Sequence, residues 1–212
     1  MTTDDIRAIF SDRDQIEAGD RILARRDLAD TSELRRKVND PGKQHMSLLA
    51  VAMINRNKEA MRQLLAMGAD PNRRTPDGES AVDLAAGADD PEFLQIVLRG
   101  GGNPNIRNAT NEPATFTAAS QRRWQNLYFM IDRGADLGAR DPGGNTILLY
   151  CAKLDEFEPI PTLIDRGADY LSANGNGVRL ADVVKSSRLN PGSPRGIARE
   201  RVRQLLAARG AI

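Results

Sequence analysis

Three acidic residues crowded into "DEFE", Asp155, Glu156 and Glu158, are the groups of this chain whose types and spacing best fit reaction chemistry. Two carboxylates in unlike environments can divide the work, one keeping its proton as general acid while the other stays ionised as base. That gives the loop a hydrolase reading. Few other groups could join it. His45 is the only histidine, so there is no second imidazole for a metal pair or a catalytic dyad. Cys151 is the only cysteine, which excludes an internal disulfide framework and a multi-cysteine zinc site. "DPGGN" (141–145) and "NGNG" (174–177) are as glycine-dense as a phosphate loop, but neither follows a buried strand pattern or carries the Lys-Ser/Thr ending. Nothing here implies a cofactor or a metal.

Composition narrows the classes further. The 212 residues carry a formal net charge of +1 and only 4% aromatics, so neither a polyanion-seeking field nor a set of base-stacking platforms is present. Nucleic acid is therefore not an expected partner. No apolar run approaches the roughly 18 residues that cross a bilayer. The start, "MTTDDIRAIFSDRD", has neither the basic nor the apolar region of a secretory signal. The expectation is a monomeric cytoplasmic protein with no membrane contact.

The elements that must position these residues announce themselves by repetition. "LLAMGADPN", "IVLRGGGNPN", "FMIDRGADLG" and "TLIDRGADYL" align with Gly68, Gly101, Gly134 and Gly167 in register, each 33 residues after the last. A constant period of this length marks stacked supersecondary units. Counting back 21 positions from each glycine reaches Ser47, Ser80, Pro113 and Thr146, and one period further lies Arg179. Ser47, Ser80 and Thr146 are N-cap residues whose hydroxyls can accept the free amides of a first helical turn. A short apolar helix follows each, then a second with one buried stripe, as in "KEAMRQLLAM". Glycine ends the second helix in the left-handed conformation, and the adjacent Asp or Asn turns the chain.

On these motifs the chain resembles the ankyrin-repeat family: "DGESAVDLAA" with "LLAMGADPN", and "GGNTILLYCA" with "LIDRGAD", follow the family pattern. The resemblance covers residues 44–212 and implies an all-α solenoid of about five helix-turn-helix units with projecting β-turns. Asp83 and Asp182 stand where the family has His, and no unit keeps its Thr-Pro-Leu-His run. The last unit is interrupted by "SSRLNPGSPR", so that its closing Gly210 comes 43 residues after Gly167 rather than 33. Residues 1–43 fall outside the pattern and read as an N-terminal helical cap, since a terminal repeat needs a cover with a polar outer side.

Two charge patterns follow the register. Nine residues after each capping site stand Arg56, Asp89, Arg122, Asp155 and Arg188, a comb of alternating sign at positions where the family has Gly. Arg74, Arg107 and Arg140, one per unit, form a ladder of single sign at the base of successive turns. The comb reads as cross-repeat ion pairing; the ladder reads either as solvated side chains or as guanidiniums gripping an acidic surface. The family resemblance implies a partner protein bound through the concave side and turn tips. Carried onto this sequence, that site is Arg74, Asp77, Glu79, Arg107, Glu112, Gln121, Arg140, Asn145, Lys153 and Asn176, with Ile54 and Leu154 as apolar anchors. It further implies an inhibitory, immunity- or antitoxin-like role toward a toxin or effector. The alternatives are an assembly adaptor joining two proteins and, least supported, the hydrolase of the Asp155–Glu156–Glu158 loop.

Overall fold

The computed structural model describes residues 47–75 and 78–212. The expected cap over 1–43, His45 and Asp77 lie outside the described residues. Ten helices occur among those described, in five pairs: α1 (Leu48–Ile54) with α2 (Lys58–Ala66), α3 (Ala81–Ala86) with α4 (Pro91–Arg99), α5 (Ala114–Ser120) with α6 (Trp124–Asp132), α7 (Ile147–Lys153) with α8 (Ile160–Asp165), and α9 (Leu180–Ser186) with α10 (Pro194–Ala208). No strand longer than an isolated bridge accompanies them.

The capping register fixes where each first helix begins. Ser47 Oγ accepts the amide of Ala50 at 3.2 Å, Ser80 Oγ that of Asp83 at 3.2 Å, and Thr146 Oγ1 that of Leu149 at 3.5 Å. Asp83 answers reciprocally, its Oδ2 accepting the Ser80 amide at 3.0 Å, which closes a capping box. Pro113 caps α5 without a side-chain bond, as a residue lacking a hydroxyl must. At the other end of each unit Gly68, Gly101, Gly134, Gly167 and Gly210 all have positive φ, between 69° and 98°. The acidic or amide residue two positions on makes the turn: Asp70, Asn103, Asp136 and Asp169 each accept, through Oδ1, the amide two residues ahead.

The chain divides into two compact units, one ending at Ala109 and one spanning Thr110–Ile212. In the first, α1 packs on α2 and α3 on α4, while α1 meets α3 and α2 meets α4. The first helices thus make one layer and the second helices another, around Leu49, Met61, Leu94 and Phe93, all almost fully buried. Asn72 ties its two repeats at the far end, donating Nδ2 to Gly101 O at 3.1 Å and accepting the Asn103 amide at 2.7 Å. In the second unit α5, α7 and α9 pack in sequence and α8 packs on α10, over a core of Phe116, Leu127, Leu148, Phe157 and Ile160.

The interrupted last repeat closes as the register requires, with α10 beginning at Pro194 and capped by Ser193, whose Oγ accepts the Gly196 amide at 3.0 Å. The inserted loop lies directly against this helix. A Cβ on Gly196 would stand 1.9 Å from Asn190 O, so only glycine fits there.

Candidate functional site

The projecting turns are built alike. In the turn between α7 and its predecessor, the Asp141 amide donates to Asn145 O at 3.0 Å and the Gly144 amide to Asp141 O at 2.9 Å. One repeat on, the Asn174 amide donates to Val178 O at 2.9 Å and the Gly177 amide to Asn174 O at 3.0 Å. Arg140 pairs with Thr146, and Ala173 with Arg179, as single antiparallel bridges at the turn bases.

Side chains lock these two turns together. Arg140 sends one nitrogen, Nη1, to Gly144 O at 2.6 Å in its own turn and to Ala173 O at 2.8 Å in the next. Asn145, buried, receives Nδ2 of Asn174 on its Oδ1 at 2.9 Å and donates its own Nδ2 to Asp141 at 2.8 Å. Asn174 is buried too, and its Oδ1 accepts the amides of Asn176 and Val178, both at 3.0 Å. Lys153 reaches the same cluster, with Nζ 3.4 Å from Asn145 Oδ1. Of the expected ladder, Arg140 is therefore half-buried and bound to main-chain carbonyls, whereas Arg74 is exposed and, among the described residues, donates to Gly78 O at 3.3 Å. Arg107 is half-buried.

The remaining expected contact residues fall on open ground. Glu79, Gln121, Lys153 and Asn176 are exposed and Glu112 is half-buried. Ile54 is 58% exposed and Leu154 42%, each just at the end of a first helix. Beside Lys153 and Leu154, three and four residues back on the same helical face, stands Tyr150. Its ring meets Phe116 edge-on with centroids 4.9 Å apart, and partial burial pushes its phenol above the usual range, helped by the charges of Glu112 and Asp141. Tyr150 is a member of this face that the repeat pattern did not single out, although the other units have only Val51, Leu84, Thr117 and Val183 there. Leu171, in a turn, and Ile197, on α10, are further exposed apolar side chains at 57% and 46%.

Only part of the charge comb pairs as expected. Arg56 Nη1 lies 3.0 Å from Asp89 Oδ1, and Lys58 bridges Asp90 and Glu92 at 2.6 and 2.5 Å. Hydrogen bonds from Lys58 hold both of those carboxyls below their ordinary values, and they hold the ammonium above its own. In the second unit Arg122 pairs with Glu156 at 2.7 Å rather than with Asp155, and Glu156 is shared with Arg195 at 2.7 Å. Asp155 instead takes the Ser187 hydroxyl at 3.4 Å. The comb positions have a second property. Arg56, Arg122 and Asp155 have φ of 56°, 55° and 58°, the left-handed conformation that explains why glycine is the family's residue there.

These contacts leave the acidic loop little chemistry. Glu156 is neutralised by two guanidiniums, and no group of His, Cys, Asp and Glu among the described residues is arranged to hold a metal. Cys151 is buried where the first three repeats have Ala, and burial pushes its thiol up to about 12, far from a nucleophile's range.

No protein-family model matches the sequence, and no curated protein matches it. Among solved structures it is similar to the ankyrin repeat domain of Bcl-3, described as a unique member of the IkappaB protein family. The TM-score is 0.75 at 18% identity, covering 100% of this chain and 87% of that one. Together with the five helix pairs, their glycine stops and projecting turns, this defines the fold: the chain has the ankyrin-repeat fold.

Proposed function

We propose that the chain is a protein-binding module which takes a partner on the exposed ends of its first helices and its turn tips, and that docking blocks the partner, in the manner of an immunity protein facing a toxin or effector. The observation that carries this is the exposure of Ile54 and Leu154 at the ends of first helices, in a fold whose other helix-borne leucines and isoleucines, Ile197 on α10 apart, are largely buried. A large apolar side chain held out on a rigid helix end is the type of group that dominates affinity once desolvated. Leu154 is flanked by Lys153 and half-buried Tyr150, which adds a cation and an aromatic rim and favours a partner with an acidic surface. Arg74, Glu79, Arg107, Glu112, Gln121 and Asn176 extend the contact set along the turns and helix ends. Arg140 and Asn145 serve that set by holding two turns in register. The protein acts as a monomer in the cytoplasm and has no catalytic step.

A specific observation keeps the adaptor reading alive. Ile54 belongs to the first compact unit and Leu154 to the second, so two anchors can serve two proteins.

The test is affinity capture from the native host with the parent chain and with Leu154→Asp, followed by titration of the captured protein. The expected result is a loss of affinity of at least about tenfold with an unchanged melting curve, while the exposed Arg201→Glu on α10 binds as the parent does. Equal binding by Leu154→Asp would remove that anchor from the site.

A further inference from the structure

Residues 174–177 read Asn-Gly-Asn-Gly, two copies of the dipeptide in which a side-chain amide precedes a main-chain nitrogen unshielded by any Cβ. In such a pair the glycine nitrogen gives up its proton to base and attacks Cγ of the asparagine. The new C–N bond closes a five-membered succinimide as the side-chain nitrogen takes a proton and leaves as ammonia. Water then opens the ring at one carbonyl or the other, giving aspartate or isoaspartate.

The fold treats the two copies differently. At Asn174 the carboxamide is buried, and three hydrogen bonds hold it: Oδ1 accepts the amides of Asn176 and Val178 at 3.0 Å, and Nδ2 donates to Asn145 at 2.9 Å. Swinging Cγ onto the Gly175 nitrogen breaks all three. At Asn176 the side chain is exposed, and its main-chain amide supplies its one bond in the turn. Among the described residues, the attacking nitrogen is restrained by the Gly177 amide's bond to Asn174 O at 3.0 Å, in a turn whose Gly177 has φ +77°.

We infer that Asn176 is a site of spontaneous deamidation and isoaspartate formation in the folded protein, and that Asn174, two residues away in the same motif, is protected by its hydrogen bonds. The product alters more than charge. Isoaspartate adds a methylene to the main chain between the two amides that share Asn174 Oδ1, so the turn that links Asn174 to Asn145 can no longer close on both. The chemistry stands whether or not this turn meets a partner.

The full chain would be aged in mildly alkaline buffer, folded and in concentrated urea, and its peptides mapped with fragmentation that locates isoaspartate. The folded chain is expected to modify Asn176 at least about tenfold faster than Asn174, each extra hydrogen bond slowing the attack several-fold. In urea the two rates converge. Asn176→Ser abolishes the early product without shifting the melting curve. Equal rates in the folded chain would overturn the proposal. So would an Asn176 rate more than about tenfold below its own rate in urea, because the Gly177 bond would then be protection enough.

Discussion

At the scale of single residues, a set of surface charges holds neighbouring repeats together. Lys58 is the clearest case, with the carboxylates of Asp90 and Glu92 on one side and the Phe93 ring 5.3 Å away. The two carboxyls have folded values below the ordinary 3.8 and 4.5. Their contribution to stability is therefore complete above those ordinary values and disappears as pH falls through the depressed ones. Lys58 has the opposite dependence: its value is raised above 10.5, so its share is present below that pH and lost as pH rises through the raised value. Lys58→Met should lower the urea midpoint modestly at neutral pH, the cluster being solvent-exposed. The gap between parent and variant should narrow in acid and again in strong alkali, and added salt should shrink it at neutrality. A gap constant across pH would mean that the packing of the lysine stem, not its charge, is what the variant removes.

At the scale of elements, the two turns of the second unit are joined by a guanidinium and a pair of asparagines. Arg140→Met keeps the aliphatic stem and removes the donor to Gly144 O and Ala173 O. Leaving two half-buried carbonyls without it should cost about 1–3 kcal/mol. Arg74→Met, at the equivalent position but exposed, should change stability by less than about 0.5 kcal/mol. Chemical denaturation of the two variants side by side checks this, and equal costs would show that Arg140 is not the link. The contrast also marks what a sequence can tell. Helix starts were legible because Ser47, Ser80 and Thr146 cap through bonds three residues long, and the glycine stops because a left-handed residue is a local property. The uses of Arg74 and Arg140 were not, since they depend on whether the next turn presents a carbonyl within reach. The comb showed a related blind spot. Its alternating charges were visible, but the left-handed backbone beneath Arg56, Arg122 and Asp155 was hidden, because none of the three is a glycine.

At the scale of the whole molecule, the fold was legible from its period while the proposed partner surface could be written only as a set of register positions. Of those positions, Asn145 and Arg140 are occupied by internal bonds, whereas Ile54 and Leu154 are open. Because the open anchors lie in different compact units, they separate the two functional readings without any knowledge of the partner. An inhibitor that covers one target with both units should lose affinity for the same captured protein with either Ile54→Asp or Leu154→Asp. Additive losses in the double variant would mark two independent anchors. An adaptor should behave otherwise: Ile54→Asp releases one captured protein and keeps a second, and Leu154→Asp does the reverse. Quantitative mass spectrometry of proteins captured by the parent, the two single variants and the double variant reads this directly, with Arg201→Glu as a surface control. The expected pattern is loss of one shared protein in both single variants. A crossed pattern of two proteins would assign the chain as an adaptor, and retention of every captured protein in the double variant would place binding away from the first-helix ends altogether.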